Sequence, residues 1–415
     1  MLPPHVSDAL PQQSAFLRGY ADYASATSDA PEIYHVGVGL TILSGAIAKR
    51  LACPYMAGGE LVPNLYTLLI GASRSGRKTS SVDTGIKLLM RAAPETVIPI
   101  PGSYEEMISQ IRQTPSGLLT YREFGHFLKT TQRGYGEQIR TALMDLYDHP
   151  VDRAYTRNLR KGKTVIEPPI CLSLLSTCST DLLFSNSDTE EWQGGFFGRM
   201  VMLYGDREVF RMPNVWDAAR DHLTAVLHQL IHMPMGRCAG FSQYAWIEFE
   251  RWARYRDSTA VQFPERVQTF VSGSGTLAAK VALLYAADMG EAAYDGWSIS
   301  LEAMRRAILF CENLYLPSIK HLGDTLALGI WERDRQKILT IIESKGNAGA
   351  AQKEILKRAK VSLQLFEEVV NTLKAEGTIA QVNGVKDTVY KRVFEGGSSG
   401  RPNLTVVPMN PAGTP

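Results

Sequence analysis

Apolar positions recur with a helical period between residues 14 and 49. Within PEIYHVGVGLTILSGAIAKRL they place Val36, Leu40, Leu43 and Ile47 on one face, which predicts a helix packed on a core. The period then changes. RLACPYMAGGELVPNLYTLLIG holds two β-rich runs around a Gly-Gly turn and ends in a strand over 66–70, followed by a Gly/Ser loop and a helix that begins near Thr79. Four more short apolar runs follow, separated by helical patterns: TVIPIPG (96–102), SGLLTYREFGHFL, PPICLSLLSTCS (168–179) and GRMVMLYG (198–205). Before the second of these, Ser103 and Glu106 have capping-box spacing. Short apolar strands alternating with helices predict an α/β three-layer core around a mostly parallel sheet.

Residues 212–330 read as almost all helix, for instance AWIEFERWARYRD and GTLAAKVALLYAAD. From Trp331 three short amphipathic helices precede two strands around an Asn-Gly turn, the element order of a winged helix. The chain therefore divides into an N-terminal helical region (1–50), a core (51–211), a helical region packed on it (212–330), a winged helix (331–394) and a Gly/Pro/Ser-rich flexible tail (395–415).

Composition narrows the class. With 45% apolar and 21% charged residues in 415, the chain carries enough apolar surface for a large core, and a formal charge of +2 means that any attraction to nucleic acid must be local. Five scattered cysteines, with no CxxC pair, fit a reduced compartment and no structural zinc. The N-terminus lacks the pattern of a leader, and no run of 18 apolar residues occurs, so a cytoplasmic protein without a membrane span is expected.

The loop GASRSGRKTS carries the first candidate chemistry. Gly71, Ser75, Gly76, Arg77, Lys78, Thr79 and Ser80 supply the parts of a phosphate-binding loop: backbone amides at a helix start, a lysine charge and a hydroxyl for Mg2+. The spacing is one residue longer than Gly-x4-Gly-Lys-Ser/Thr. Either Arg77 is inserted after two glycines in their usual places, or Lys78 and Thr79 keep theirs and Arg77 replaces the second glycine. The second register is preferred, because the chemistry of Lys78 and Thr79 depends on their position at the helix start. ATP and Mg2+ are the cofactors this implies.

Hydrolysis also asks for an acidic strand end. Glu123 is placed to orient a water, but the residue before it, where an Asp would order the metal shell, is Arg122. Thr177, within the strand end STCST, is a candidate γ-phosphate sensor, and Arg199 in GGFFGRM offers a fixed guanidinium for the γ-phosphate, within the subunit or across to a neighbour. Between them DRAYTRNLRKGKTVIEPP reads as a basic hairpin, with Arg153, Arg157, Arg160, Lys161 and Lys163 around Tyr155, suited to tracking a single strand. Residues 335–392 hold eleven Lys/Arg against six Asp/Glu, although the third helix there, which would face a groove, carries Glu367 and Glu368.

Taken in order, GASRSGRKTS, LLTYREFGHFL, LMDLYDHP, PPICLSLLSTCSTDLL and GGFFGRMVML resemble a family of P-loop proteins encoded by phages, prophages and plasmids and often found as the C-terminal half of primase-helicase polypeptides. The resemblance covers roughly residues 30–330, with too little chain before it for a primase domain. Members often read Gly-x-Ser-x-x-x-Arg-Lys-Ser/Thr at the loop, and Gly195, Phe196 and Arg199 match a Gly-Phe-x-x-Arg segment. Many have Asp-Glu-Phe-Gly where this chain has Arg122-Glu123-Phe124-Gly125. The resemblance implies a P-loop NTPase of the RecA/AAA-like kind, acting on DNA in replication as a homo-oligomer of the hexameric-ring type, with replication proteins as further partners and no membrane. Helicase or translocase activity is the first functional expectation. An ATP-binding initiator or loader with little turnover is the second, and a docking scaffold that binds no nucleotide is the third.

Overall fold

A computed structural model describes residues 2–393 except 57–58, 74–76, 100, 132–134, 160–161, 188–191, 193–194, 207–209, 211, 213, 215 and 384–387. Five strands form a central sheet: β1 (Tyr66–Gly71), β2 (Val97–Ile98), β3 (Ser116–Tyr121), β4 (Cys171–Ser179) and β5 (Met200–Tyr204). Their order is β2-β3-β4-β1-β5, and every pairing is parallel. The expected strands are therefore present, with the run at 96–102 reduced to two residues.

Side chains on β1 alternate between two helical layers. Thr67 hydrogen-bonds Thr41 at 2.6 Å on the helix Glu32–Ile47, whereas the Tyr66 hydroxyl donates to the Leu143 carbonyl at 2.9 Å on the helix Tyr135–Tyr147. A sheet covered on both faces buries its strands throughout, and β1 and β4 are apolar or small along nearly their whole length. The start of β1 is held by Lys280, whose ammonium lies 3.8 Å from the centre of the Tyr147 ring and donates to the Asn64 side-chain oxygen at 2.7 Å.

The first helical region differs from its expected form. It is two helices, Leu17–Thr27 and Glu32–Ile47, separated at Pro31, and the second is buried on nearly all sides instead of on one face. The sheet lies on one side of it, and the helices Leu17–Thr27 and Lys78–Ala92 pack against the rest. Close approach is permitted by small residues: a Cβ on Gly45 would lie 2.8 Å from the Leu118 Cβ, and one on Gly37 2.3 Å from Leu203 Cδ1.

Cys53–Tyr55 and Gly59–Leu61 pair as the expected hairpin. Ser103 caps the helix Tyr104–Gln113 by accepting from the Glu106 amide at 3.1 Å, but the Glu106 carboxylate reaches the Gly102 amide, one residue beyond the capping-box partner. The region 212–330 is helical except for two short parallel strands, Cys238–Phe241 and Trp297–Ile299, which its helical pattern hid. One helix, Glu265–Asp288, is long and apolar enough to cross a membrane, and 83% of its most apolar window is buried inside the protein.

The chain forms two compact units, Met1–Thr325 and Leu326–Pro415, so the helical regions on either side of the sheet belong with it. The boundary falls within the helix Leu316–Glu343. The second unit has its own core around Ile338, Ile355, Phe366, Leu373 and Tyr390. Its later helices, Gln352–Ala359 and Leu363–Ala375, lead into the antiparallel strands Ile379–Asn383 and Thr388–Arg392, and Ala350–Ala351 adds a third strand to that small sheet.

Candidate functional site

The parallel sheet brings the carboxyl ends of its strands to one edge, where the chain reverses direction on either side of β1 and a crevice for a ligand forms. Gly71 at the end of β1 lies opposite Ser179 of β4, and Tyr121 at the end of β3 lies opposite Ser176. Continuing each strand by a residue or two therefore brings Glu123 beside Cys178. A cavity of about 200 Å³ opens at this edge, lined by Ser73, Arg77, Lys78, Thr79, Glu123 and Thr177 among others. Ser80 also lines it. Ser75 and Gly76 lie outside the described residues.

The helix Lys78–Ala92 starts at the cavity. Its first backbone bond of helical spacing runs from the Ser81 amide to the Arg77 carbonyl, so the amides of Lys78, Thr79 and Ser80 have no acceptor within the helix. Arg77, just before it, has φ of 50° and ψ of 20°, the left-handed conformation that glycine adopts without steric cost. Its Nε lies 3.1 Å from Asp29 Oδ1, a nearly buried carboxylate. Gly71 is required by close packing, since a Cβ there would lie 2.4 Å from the Gly205 carbonyl oxygen and from the Tyr34 hydroxyl. That hydroxyl donates to the carbonyls of Ile70 and Gly205, both at 2.6 Å, and so ties the end of β1 to the end of β5.

Lys78 is buried, and its ammonium donates to the carbonyls of Gly71 at 2.9 Å and Ala72 at 2.7 Å. Burial lowers its pKa from the usual lysine value, partly offset by the nearby Cys178, Glu123 and Asp206. Burial pushes the Cys178 thiol up to about 12, which keeps it protonated and unreactive near neutral pH. The Thr177 hydroxyl donates to the Arg122 carbonyl and the Ser176 hydroxyl to that of Tyr121, so both side chains lace β4 to β3. Thr177 thus reaches the cavity wall with its proton already committed.

Arg122 turns away to the loop helix. Its Nη2 lies 2.8 Å from Oδ1 of Asp83, one turn beyond Thr79. Sequence reading missed Asp83, although its i+4 spacing from Thr79 was the available signal.

No family model matches this chain, and no curated protein does.

Arg199 is not at this edge. It precedes Met200, which pairs with Tyr66 at the opposite end of β1, about 17 Å from Gly71 at the usual rise per strand residue. Its guanidinium is held by Asp148, with Nε 2.9 Å from Oδ2, and by the Gly195 carbonyl at 2.8 Å. The expectation of Arg199 beside the loop within the subunit is thereby corrected: it lies away from the cavity that Lys78 and Glu123 line.

The basic hairpin forms, Tyr155–Leu159 against Gly162–Ile166. Lys163 is exposed on it and Arg153 just before it, whereas Arg157 is committed to the Tyr155 hydroxyl at 2.7 Å and to Asp145. Tyr155 is buried, with its ring against His149, and so offers no exposed face to a base. Arg160 and Lys161 lie outside the described residues. In the second unit the outward face of Leu363–Ala375 shows Gln364, Glu367, Glu368 and Asn371, while Lys353, Lys357 and Arg358 are exposed on Gln352–Ala359. Lys337 and Lys374 are exposed as well, so each of its three helices carries an exposed cation.

Proposed function

We propose that this protein is a P-loop ATPase of the RecA/AAA-like kind that acts on DNA, as a helicase or translocase in the replication of a mobile genetic element. The observation that carries the reading is the convergence of Lys78, Thr79, Glu123 and Thr177, from three separate stretches of chain, on one cavity at the carboxyl edge of a parallel sheet. Arg77 supports the register anchored on Lys78 and Thr79, because its backbone is in the conformation a glycine at that place would take.

In this reading the open amides at the helix start and the Lys78 ammonium, released from the Gly71 and Ala72 carbonyls, receive the β- and γ-phosphates. Thr79 would hold Mg2+ through its hydroxyl, and the ion would supply positive charge to the phosphates. Glu123, exposed at the cavity wall, orients the attacking water. Arg199 serves the cavity of the next copy in a homo-oligomeric ring, which is the arrangement its place at the far edge allows. Arg153 and Lys163 contact the DNA backbone at the hairpin, and the second unit is a winged helix that offers Lys353, Lys357 and Arg358, exposed on its Gln352–Ala359 helix, and Lys374 on the next.

DNA-stimulated ATP hydrolysis tests the reading. Wild type is expected to hydrolyse ATP faster with single-stranded DNA, and Lys78→Ala and Glu123→Gln to lose at least about 100-fold in turnover. Wild-type activity no higher than that of Lys78→Ala would overturn it. A second reading, an ATP-binding initiator or loader with little turnover, is favoured by Arg122 standing where a metal-ordering acid belongs; it predicts Lys78-dependent binding without hydrolysis.

A further inference from the structure

Thr79 and Asp83 stand one turn apart on the Lys78–Ala92 helix and so share a face. Helical side chains lean toward the N-terminus, which carries the Asp83 carboxylate back toward the Thr79 hydroxyl. Across from it is Arg122, 2.8 Å away, and the next residue along that strand end is Glu123. Arg122 is more than half exposed and Asp83 29% exposed, so the ion pair adds little to stability and its consequence is where it holds the carboxylate.

A Mg2+ ion bound through one hydroxyl and phosphate oxygens keeps several waters, and those waters need acceptors. The strand-end position that would supply a carboxylate carries the Arg122 guanidinium instead. Among the described residues no group of three or more His, Cys, Asp or Glu could cage an ion by itself, which suits an ion held mainly by phosphate and water. We propose that Asp83 is the carboxylate that serves a cation at Thr79, accepting hydrogen bonds from its water ligands, with Arg122 as the counterion that orients it. The charges are thereby exchanged between strand end and helix, with the acid one helical turn from Thr79. This inference rests on the nucleotide reading above.

The test is the affinity of the full-length protein for a fluorescent ATP analogue, measured in excess Mg2+ and again in EDTA. In wild type Mg2+ tightens binding. Asp83→Asn, close in shape to the native residue, weakens binding in Mg2+ at least about tenfold, the usual effect of removing an outer-shell partner, and leaves binding in EDTA unchanged. Adding Arg122→Asp to Asp83→Asn returns an acid to the strand end and recovers most of the Mg2+ effect. An Asp83→Asn protein that keeps the full Mg2+ effect, or weakens equally in both buffers, overturns the proposal, as does a double variant no better than the single one. Lys78→Ala separates the two levels: if wild type does not bind, or Lys78→Ala binds as wild type does, the nucleotide reading falls and takes this inference with it. Lys78-dependent binding with a Mg2+ effect indifferent to Asp83 overturns the inference alone.

Discussion

Arg77 holds a backbone conformation that costs an L-residue about 1–2 kcal/mol, and a β-branched side chain tolerates it least. Arg77→Gly is therefore expected to be at least about 1 kcal/mol more stable than Arg77→Val in urea unfolding, even though both lose the pair with Asp29. Equal stabilities would mean that the left-handed turn relaxes freely. Asp288 gives a second residue-scale test. It is buried, accepts from the Phe16 amide at 2.8 Å, the Leu17 amide at 3.3 Å and the Ser14 hydroxyl, and desolvation pushes its pKa up from 3.8 to about 6 in spite of those bonds. The folded state then keeps a proton that the unfolded chain has lost, so stability falls as pH rises from about 4 to about 6 and levels off above, by about 3 kcal/mol at most. Asp288→Asn is expected to flatten that part of the pH–stability curve; an unchanged slope would contradict the assignment.

The placement of Lys78 and Thr79 at a helix start was legible residue by residue, because they directly follow an apolar strand and a Gly/Ser loop. The partner of Arg122 was not, since a pairing between a strand end and a helix has no signature in spacing along one element.

Among the elements, the helix Glu32–Ile47 shows what periodicity reads and what it leaves out. Its apolar stripe was visible, but not that Gly37, Gly39 and Gly45 are points of close approach to the sheet and to the helix Leu17–Thr27. At Gly45 an added Cβ meets the Leu118 Cβ at 2.8 Å and its Cα at 3.4 Å, neither of which can rotate away. Gly45→Ala is therefore expected to cost about 1–3 kcal/mol despite the higher helix propensity of alanine, measured by thermal or urea unfolding. A stabilised variant would mean that helix and sheet separate without cost. The strands of the central sheet were readable because each is a short apolar run bounded by turns. Their order was not, because it depends on crossovers between runs of similar composition, and the parallel pair Cys238–Phe241 with Trp297–Ile299 is too short to interrupt a helical pattern.

At the scale of the molecule, the sequence divided the first 330 residues into three regions, and the structure joins all but the last five of them into one unit. Apolar helices such as Gln268–Asp288 look self-contained in a linear pattern, and only their burial shows that they close the same core. The change of character near Trp331 was visible because short amphipathic helices replace long apolar ones, and the second unit begins five residues earlier, inside a continuous helix. The function proposed for the whole depends on a single premise, that the carboxyl edge of the sheet holds a nucleotide through Lys78. Burial makes the Lys78 charge costly in the free protein, so Lys78→Met should leave the melting temperature unchanged or raise it, which separates a functional loss from an unfolded variant. The most direct measurement is calorimetric titration of wild type and Lys78→Met with a non-hydrolysable ATP analogue in Mg2+. Saturable binding to wild type, weakened at least about 100-fold in the folded variant, is the predicted result; no heat from wild type, or the same affinity in both, would contradict the account.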